Sequence, residues 1–332
     1  MKIVRIVLLL VHLGTLFLLL GVLLNAYVPP KVFPWFNLIS LGFPLLISIY
    51  CILTVLWIFM WKKRAFVFMF FGLFFLSATQ RWINFTTEKE GANLKIVSFN
   101  IKGGRANQEE IEGFINRQNA DLVLLQEDGN IDFNFSPLKR AHNTPIITLY
   151  TKKENEIIAY KEIFEGQYSE DFNTFADYTD LKINGKIYRI VNVYLQPFKF
   201  EKSMVKLEPD NYDDERKVKN IVKKLIPTFK KHQELIDTIR QYIDNSPYPI
   251  ILAGDFNAVP NSYEYFHLGK DLQDAFVKSG RGSATSFHDY KYPLRLDYIF
   301  TSEPVEPISY VVNRSVNLSD HYPVVATFKI SQ

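Results

Sequence analysis

The stretch Pro249-Ile250-Ile251-Leu252-Ala253-Gly254-Asp255-Phe256-Asn257-Ala258-Val259-Pro260-Asn261 decides how this chain is read. An apolar run of strand length stops at Gly-Asp-Phe-Asn and turns at Pro260-Asn261. The Ile-Ile-Leu core reads as a buried strand. Gly254 and Pro260 punctuate it. Asp255 and Asn257 lie two residues apart, so in extended backbone they project to the same side. A carboxylate and an amide at the end of a buried strand are unfavourable unless something polar binds them. An Asx-type turn, in which both bond their own backbone, accounts for the same letters. Partner residues at other strand ends would favour a site.

Such partners recur along the chain. Residues 94–100 alternate and end at Asn100, ahead of Gly103-Gly104. Residues 109–118 have helical spacing, and 121–127 read as a buried strand ending in Glu127. Residues 146–151 and 156–164 read as a strand pair. Residues 182–196 read as a hairpin about Asn184-Gly185, the strongest short hairpin signal, with Tyr194 near its end. Residues 294–300 form a strand carrying Asp297, and Ser319-Asp320-His321 leads into a final strand. Hairpins with few helices favour an α+β arrangement of two sheets over a singly wound parallel sheet.

Residues 199–232 interrupt this order. An acidic run, 210–215, precedes Arg216, Lys217, Lys219, Lys223, Lys224, Lys230 and Lys231. Val218, Ile221, Val222 and Leu225 fall at i, i+3, i+4 and i+7, so 216–231 read as a basic amphipathic helix, bent or ended at Pro227. Its charged face is either solvated or set against anionic lipid headgroups or an anionic substrate. A second helix, 233–244, delivers the chain to the Asp255 strand.

The first 82 residues differ in kind. They hold seven Lys or Arg and no Asp or Glu, which leaves residues 83–332 with 31 basic and 35 acidic side chains. A net −4 part argues against a nucleic-acid binder that relies on a broad positive face. Residues 6–26 and 38–61 are long enough to span a bilayer, and the Phe-rich 65–82 forms a third, shorter candidate. With Lys2 and Arg5 at its start, the first could pass for a signal peptide, but no clean small-x-small site follows, so all three read as retained. Residues 83–93 read as a linker to a domain over 94–332. Lys62-Lys63-Arg64 is the densest basic loop, and the positive-inside rule places it and the N-terminus in the cytoplasm. Three crossings then place the rest outside, in an integral protein of the cell or inner membrane. The single cysteine, Cys51, lies in an apolar segment and permits no disulfide within the chain.

Ser98-Phe99-Asn100, Leu125-Gln126-Glu127, Gly254-Asp255-Phe256-Asn257, Arg295-Leu296-Asp297-Tyr298 and Ser319-Asp320-His321 occur in that order. In these pieces the chain resembles the endonuclease/exonuclease/phosphatase superfamily, which includes exonuclease III-like nucleases, DNase I, neutral sphingomyelinases and inositol-phosphate 5-phosphatases. The resemblance spans about residues 94–330. It implies a four-layer α/β sandwich of two packed mixed sheets and a divalent-metal (Mg²⁺ or Mn²⁺) phosphohydrolase. Position by position it implies Glu127 as principal metal ligand, with Asn100 and Asp320 nearby. It implies Asp255 for the attacking water, Asn257 for phosphate, and His321 for a phosphoryl oxygen, oriented by Asp297.

The residue types suit that chemistry. A phosphate ester is anionic, so a hard cation and cationic or neutral donors must offset charge on its oxygens. No Cys/His cluster suggests zinc, and no Gly-x-Ser-x-Gly is present. One departure stands out: many members acting on lipids and inositol phosphates carry His where this chain has Tyr194, whereas the exonuclease III-like branch can use Tyr. A phenol donates a hydrogen bond but supplies no positive charge at neutral pH. The substrate expected is a phosphate ester, either a lipid headgroup or nucleic acid. A catalytically silent, membrane-tethered binding module is the alternative of another class.

Overall fold

The structure is a computed structural model that describes residues 2–331 other than 88, 105–106, 143, 168, 170–171, 199–213, 290–291 and 293. Residues 210–213 of the acidic run, and the side chains of Asp214, Glu215 and Val218, fall outside that description. The N-terminal module contains α1 (Lys2–Leu23), α2 (Trp35–Leu41), α3 (Phe43–Met60), α4 (Lys62–Gly72) and α5 (Leu76–Gln80). Beyond it come β1 (Ile83–Phe85), β2 (Leu94–Asn100), α6 (Gln108–Gln118), β3 (Leu122–Gln126), β4 (Leu138–Arg140), β5 (Ile147–Lys152), β6 (Glu156–Glu162), β7 (Phe175–Ile183) and β8 (Lys186–Tyr194). The chain then forms α7 (Asp214–Asp244), β9 (Ile250–Asp255), α8 (Tyr263–Leu268), β10 (Gln273–Asp274), α9 (Ala275–Ser279), β11 (Arg281–Ser283), β12 (Asp297–Thr301), β13 (Val305–Val312) and β14 (Val324–Ile330).

Among the described residues, two six-stranded mixed sheets run β10-β12-β9-β8-β7-β6 and β13-β14-β2-β3-β5-β4. Their facing sides share one core, in which Ile96, Leu122 and Leu124 meet Ile190, Ile251 and Ile299. On the outer face of one sheet, Leu235, Ile236, Ile239 and Ile243 of α7 cover Val191 and Leu252. On the other, Ile111, Phe114 and Ile115 of α6 cover Val97, Phe99 and Val123. Helix, sheet, sheet and helix make the expected four layers. The α6 start follows capping chemistry: Asn107 accepts from the Glu109 N–H, and two glutamates occupy the first turn.

Several local expectations change. The strands near 146–151 and 156–164 are not partners: β5 pairs with β3 and β4, while β6 pairs with β7 in the other sheet. A short turn between them carries the chain across the sandwich, which no periodicity signals. The hairpin stands, with Asn184 and Gly185 both at positive φ (49° and 82°) as a two-residue turn needs. Helices 216–231 and 233–244 are one helix, α7, which continues through Pro227. Proline removes one helical hydrogen bond, but Leu225 and Phe229 before and after it are both buried, so packing holds the helix together. Part of the linker is structured: β1 pairs with β11, and Asn84 Nδ2 donates to the carbonyls of Phe276 and Val277.

The N-terminal module packs as antiparallel passes. At one pole the Arg5 guanidinium lies 5.9 Å from the Trp61 ring and that of Arg64 lies 4.4 Å from it. Midway, Trp57 Nε1 donates to His12 Nδ1 (3.1 Å), and the Tyr50 hydroxyl donates to the Phe68 carbonyl (2.7 Å). At the opposite pole Phe43 stacks on Trp82, and Asn25 Nδ2 donates to the Asn261 carbonyl of the sandwich. Lys2, Arg5 and Lys62-Lys63-Arg64 therefore cluster away from the sandwich. The expected second pass is divided at Gly42 into α2 and α3, and the third is α4 and α5 joined through a 3₁₀ turn, Leu73–Phe75. Two helices, Lys2–Ala26 and Phe43–Met60, are long and apolar enough to cross a membrane.

The module is bolted to the sandwich by buried polar contacts. Asn37 of α2 donates to Glu264 Oε2 and accepts from the Tyr263 N–H, both at 2.7 Å. Glu264 also meets His232 Nδ1 at 2.9 Å, and His232 Nε2 lies 2.8 Å from the Gln196 carbonyl. Arg295, fully buried, makes two bonds to Asp274 (2.7 and 2.8 Å) and donates to the Arg81 carbonyl at 3.0 Å. Asp274→Ala leaves that guanidinium buried without its counterion, a loss of about 3–5 kcal/mol. In thermal unfolding of the detergent-solubilised protein this appears as a melting temperature lower by at least roughly 6 °C; an unchanged melting temperature would count against the pair as the fastening of this junction.

Candidate active site

The topology collects the polar strand ends. β2 and β3 run parallel, as do β8 and β9, so both pairs finish at the same edge of the sandwich. Asn100 closes β2 and Glu127 follows β3, while Tyr194 and Asp255 sit side by side at the ends of β8 and β9. β12 runs antiparallel to β9 and starts there, with Asp297 directly opposite Asp255. Gly254 permits this approach. Its φ is 140°, and a Cβ would lie 1.9 Å from the Val193 carbonyl oxygen, so only glycine fits.

Asp255 and Asp297 are each 1% exposed. The Asp255 Oδ1 accepts from the Asn257 N–H at 2.8 Å, which is the Asx turn. The same carboxylate also receives Asn100 Nδ2 (3.0 Å) and Asn257 Nδ2 (3.2 Å). Turn and site are thus one arrangement. Asn257 also donates to the Leu195 carbonyl at 2.8 Å, so one amide hydrogen holds Asp255 and the other fixes the Asn257 side chain to the end of β8. Asn100 Nδ2 bridges from Asp255 to Glu127 Oε1 at 2.9 Å. His321 Nδ1 lies 2.7 Å from Asp297 Oδ2, and its Nε2 lies 3.7 Å from Asp255 Oδ2. The Lys102 ammonium pairs with Asp320 and lies 3.5 Å from Asp289. Behind the edge, Gln126 Nε2 donates to Asn192 Oδ1 (2.8 Å), which ties the two sheets together.

These contacts set the electrostatics. Burial pushes the Asp255 carboxyl up to about 7, with His321 opposing the rise and Asp297 adding to it. Burial alone would lower His321, but the Asp297 and Asp255 carboxylates outweigh it and raise the imidazole to about 10. At neutral pH His321 is a cation beside two carboxyl groups. Tyr194 is raised well above 10 by burial beside Glu127 and Asp255, so it stays a neutral donor.

A cavity of about 510 Å³ opens over this group. Lys102, Glu127, Asp255, Asp289, Asp320 and His321 line its polar end, with Asn257 among them. Tyr194 lies below the lining, packed in a small cluster with Ile147 and Phe175. Of the eight residues singled out in the sequence, then, seven meet at this edge through direct contacts or a shared cavity, and Tyr194 underlies them. Lys102 was not singled out. It stands two residues past Asn100, the same spacing as Asp255 to Asn257, so that signal was available. Nothing local marks Asp289.

Ligand atoms of Asp255, Asp297 and His321 lie within 4.8 Å of one another. Their mutual geometry is that of an ion-paired set, because His321 Nδ1 is committed to Asp297. The oxygen donors Glu127, Asp289 and Asp320 lining the cavity fit a hard divalent cation such as Mg²⁺ or Mn²⁺.

The profile of the Endonuclease/Exonuclease/phosphatase family matches residues 97–321. This chain belongs to that family. Its members are phosphoesterase hydrolases, and this chain is a hydrolase of that family. Residues 4–82 match a family described as a domain of unknown function. No curated protein matches the chain. Among solved structures, an endonuclease/exonuclease/phosphatase family protein from Bacteroides thetaiotaomicron is 14% identical with a TM-score of 0.51, over 74% of this chain and 97% of that one. That likeness shows the fold. The human Nocturnin catalytic domain with bound sulfate matches at 15% identity and a TM-score of 0.49 (74% and 97% covered). The mannosyl-6-phosphatase of Bacteroides thetaiotaomicron matches at 15% and 0.48 (72% and 100%).

The paired carboxylates set the pH response. On the roles that the resemblance assigns, with Asp255 ionised to take a proton and His321 protonated, activity should rise with pH through about 7 and fall as pH passes about 10. Asp297→Asn removes a negative charge that raises both groups. Both limbs of the kcat/KM profile should move to lower pH, and a variant profile that superimposes on wild type would refute the arrangement.

Proposed function

We propose that this chain is a membrane-anchored, divalent-metal-dependent hydrolase of phosphodiesters or phosphomonoesters. The observation that carries the reading is His321, held as a cation between Asp297 and Asp255 at one end of a cavity whose polar lining includes Glu127. Asp255 accepts the proton of the attacking water. Asn257 and Asn100 fix the carboxylate for that step. His321 donates from Nε2 to a phosphoryl oxygen, and Asp297 holds the ring in the orientation this requires. Tyr194 supports Glu127 from below as a neutral donor. Glu127, with Asn100 and Asp320 close by, would hold a divalent ion, which would supply Lewis-acid stabilisation of charge on the phosphoryl oxygens. Three buried charged groups kept in register are expensive in stability; a silent binding module has no use for them.

The anchoring rests on the module's surface and its poles. Apolar side chains face outward along the helices, with Ile3 77%, Phe17 75%, Phe59 82% and Phe66 69% exposed. Such a belt is an aggregation liability in water and natural in hydrocarbon. Basic residues gather at the pole away from the sandwich, which by the positive-inside rule favours an extracytoplasmic catalytic domain and a third crossing through 62–80.

Bis-p-nitrophenyl phosphate tests the reaction. Turnover should need Mg²⁺ or Mn²⁺ and vanish with chelator. Asp255→Asn and His321→Gln should each lower kcat by about 10²–10⁴. Wild-type rates in both variants would show that these residues do not carry the chemistry.

A further inference from the structure

The catalytic cavity is lined by two unlike kinds of side chain. Beside the polar groups its lining is apolar, with Leu41, Phe198, Ile221, Leu225 and Leu294, and with the Phe287 ring 5.0 Å from that of His321. Leu41 closes α2 in the N-terminal module, and the Tyr292 hydroxyl seals it to the sandwich by donating to the Leu41 carbonyl at 2.9 Å. Ile221 and Leu225 belong to the apolar stripe of α7, whereas Lys219, Lys223 and Lys230 of the same helix are exposed. The stripe thus faces the site and these three lysines lie on the opposite side of the helix, while the half-buried Lys217 and Lys224 share the stripe's side. Leading into α2, Tyr27 is 81% exposed and Val32 73%, the kind of apolar fringe that enters a lipid surface. One cavity therefore joins phosphate-handling groups to an apolar wall that the membrane module helps to build.

Resting on the hydrolase reading above, we infer that the substrate is an amphiphilic phosphate ester taken from the membrane, its phosphate at Glu127, Asp255 and His321 and its hydrocarbon chain against Leu41, Ile221 and Leu225. Water adds to phosphorus, the P–O bond to one esterified alcohol breaks, and the products are that alcohol and the remaining phosphate. The water's proton passes to Asp255 and the leaving oxygen is protonated from solvent. Nucleic acid fits less well: it is polar along its length and leaves the apolar wall without a partner, and the domain carries a net −4.

A series of alkyl p-nitrophenyl phosphodiesters, from methyl to octyl, separates the possibilities. The full chain is assayed in dodecyl maltoside micelles, which contain no phosphate. Each buried methylene should raise kcat/KM by up to about fourfold. Partition into micelles is common to all proteins, so the comparison is the octyl-to-methyl ratio in wild type, Leu225→Asp and Leu225→Met. The ratio should collapse in Leu225→Asp and return in Leu225→Met. Equal ratios in all three, or a single-stranded oligonucleotide cleaved in preference to every alkyl ester, would overturn the lipid assignment while leaving the hydrolase reading intact. Absence of turnover on every ester with Mg²⁺ or Mn²⁺ would overturn the hydrolase reading instead. The pocket is then judged by calorimetry with octylphosphonate, where equal binding by wild type and Leu225→Asp would overturn it as well.

Discussion

Two carboxyl groups, Asp255 and Asp297, face each other across neighbouring strands in the interior of this protein, and the rest of the site follows from holding them there. Burying one carboxylate is unfavourable by several kcal/mol, and a like charge beside it adds to the penalty. His321 supplies the compensating cation, bonded to Asp297 at 2.7 Å and 3.7 Å from Asp255. Asn100 and Asn257 supply the remaining donors to Asp255. Compensation is incomplete: among the described residues Asp297 Oδ1 has no hydrogen-bond partner, and Asp255 is held up at about 7.

That constraint reaches into the fold. Parallel pairs β2/β3 and β8/β9 bring four strand ends to one edge, and the antiparallel β12 brings a fifth end, with the Asp297 carboxyl, to the same place. Gly254 lets the β8 backbone close on β9, and Gln126 and Asn192 lock the sheets just behind. The helical module is fastened to this frame through Asn37, Glu264 and His232, and that chain of contacts ends at the Gln196 carbonyl, next to the Pro197-Phe198 wall of the cavity. The helical module and the candidate site are thus built as one unit.

Much of this was legible in the residues. Buried strands that stop at a polar side chain show in one dimension, because apolar runs and their ends need no partner to be seen; Asn100, Glu127 and Asp255 read that way, and Asp297 reads as a carboxylate within the strand 294–300, which in the structure begins at it. The Asn184-Gly185 turn reads directly from backbone preference. Asp320 and His321 formed only a weak local pair, and they gained meaning from the motifs upstream. What did not show depends on distant contacts. β5 and β6 look like a hairpin, since nothing local says that a turn crosses between sheets. α7 survives Pro227 because its flanking side chains are buried. The split at Gly42, which frees α2 to wall the cavity, follows from packing against α7 and Tyr292. The Lys102–Asp320 pair joins positions far apart in the chain.

The central claim is that Asp255, Asp297 and His321 form a proton-handling set and that the metal belongs to Glu127. Crystals of the full chain soaked in Mn²⁺, with anomalous scattering measured at the manganese edge, test it most directly. A peak within bonding distance of the Glu127 carboxylate, with the His321–Asp297 hydrogen bond intact, is the result expected. A peak inside the Asp255–Asp297–His321 triangle, ligated by the imidazole, would contradict it.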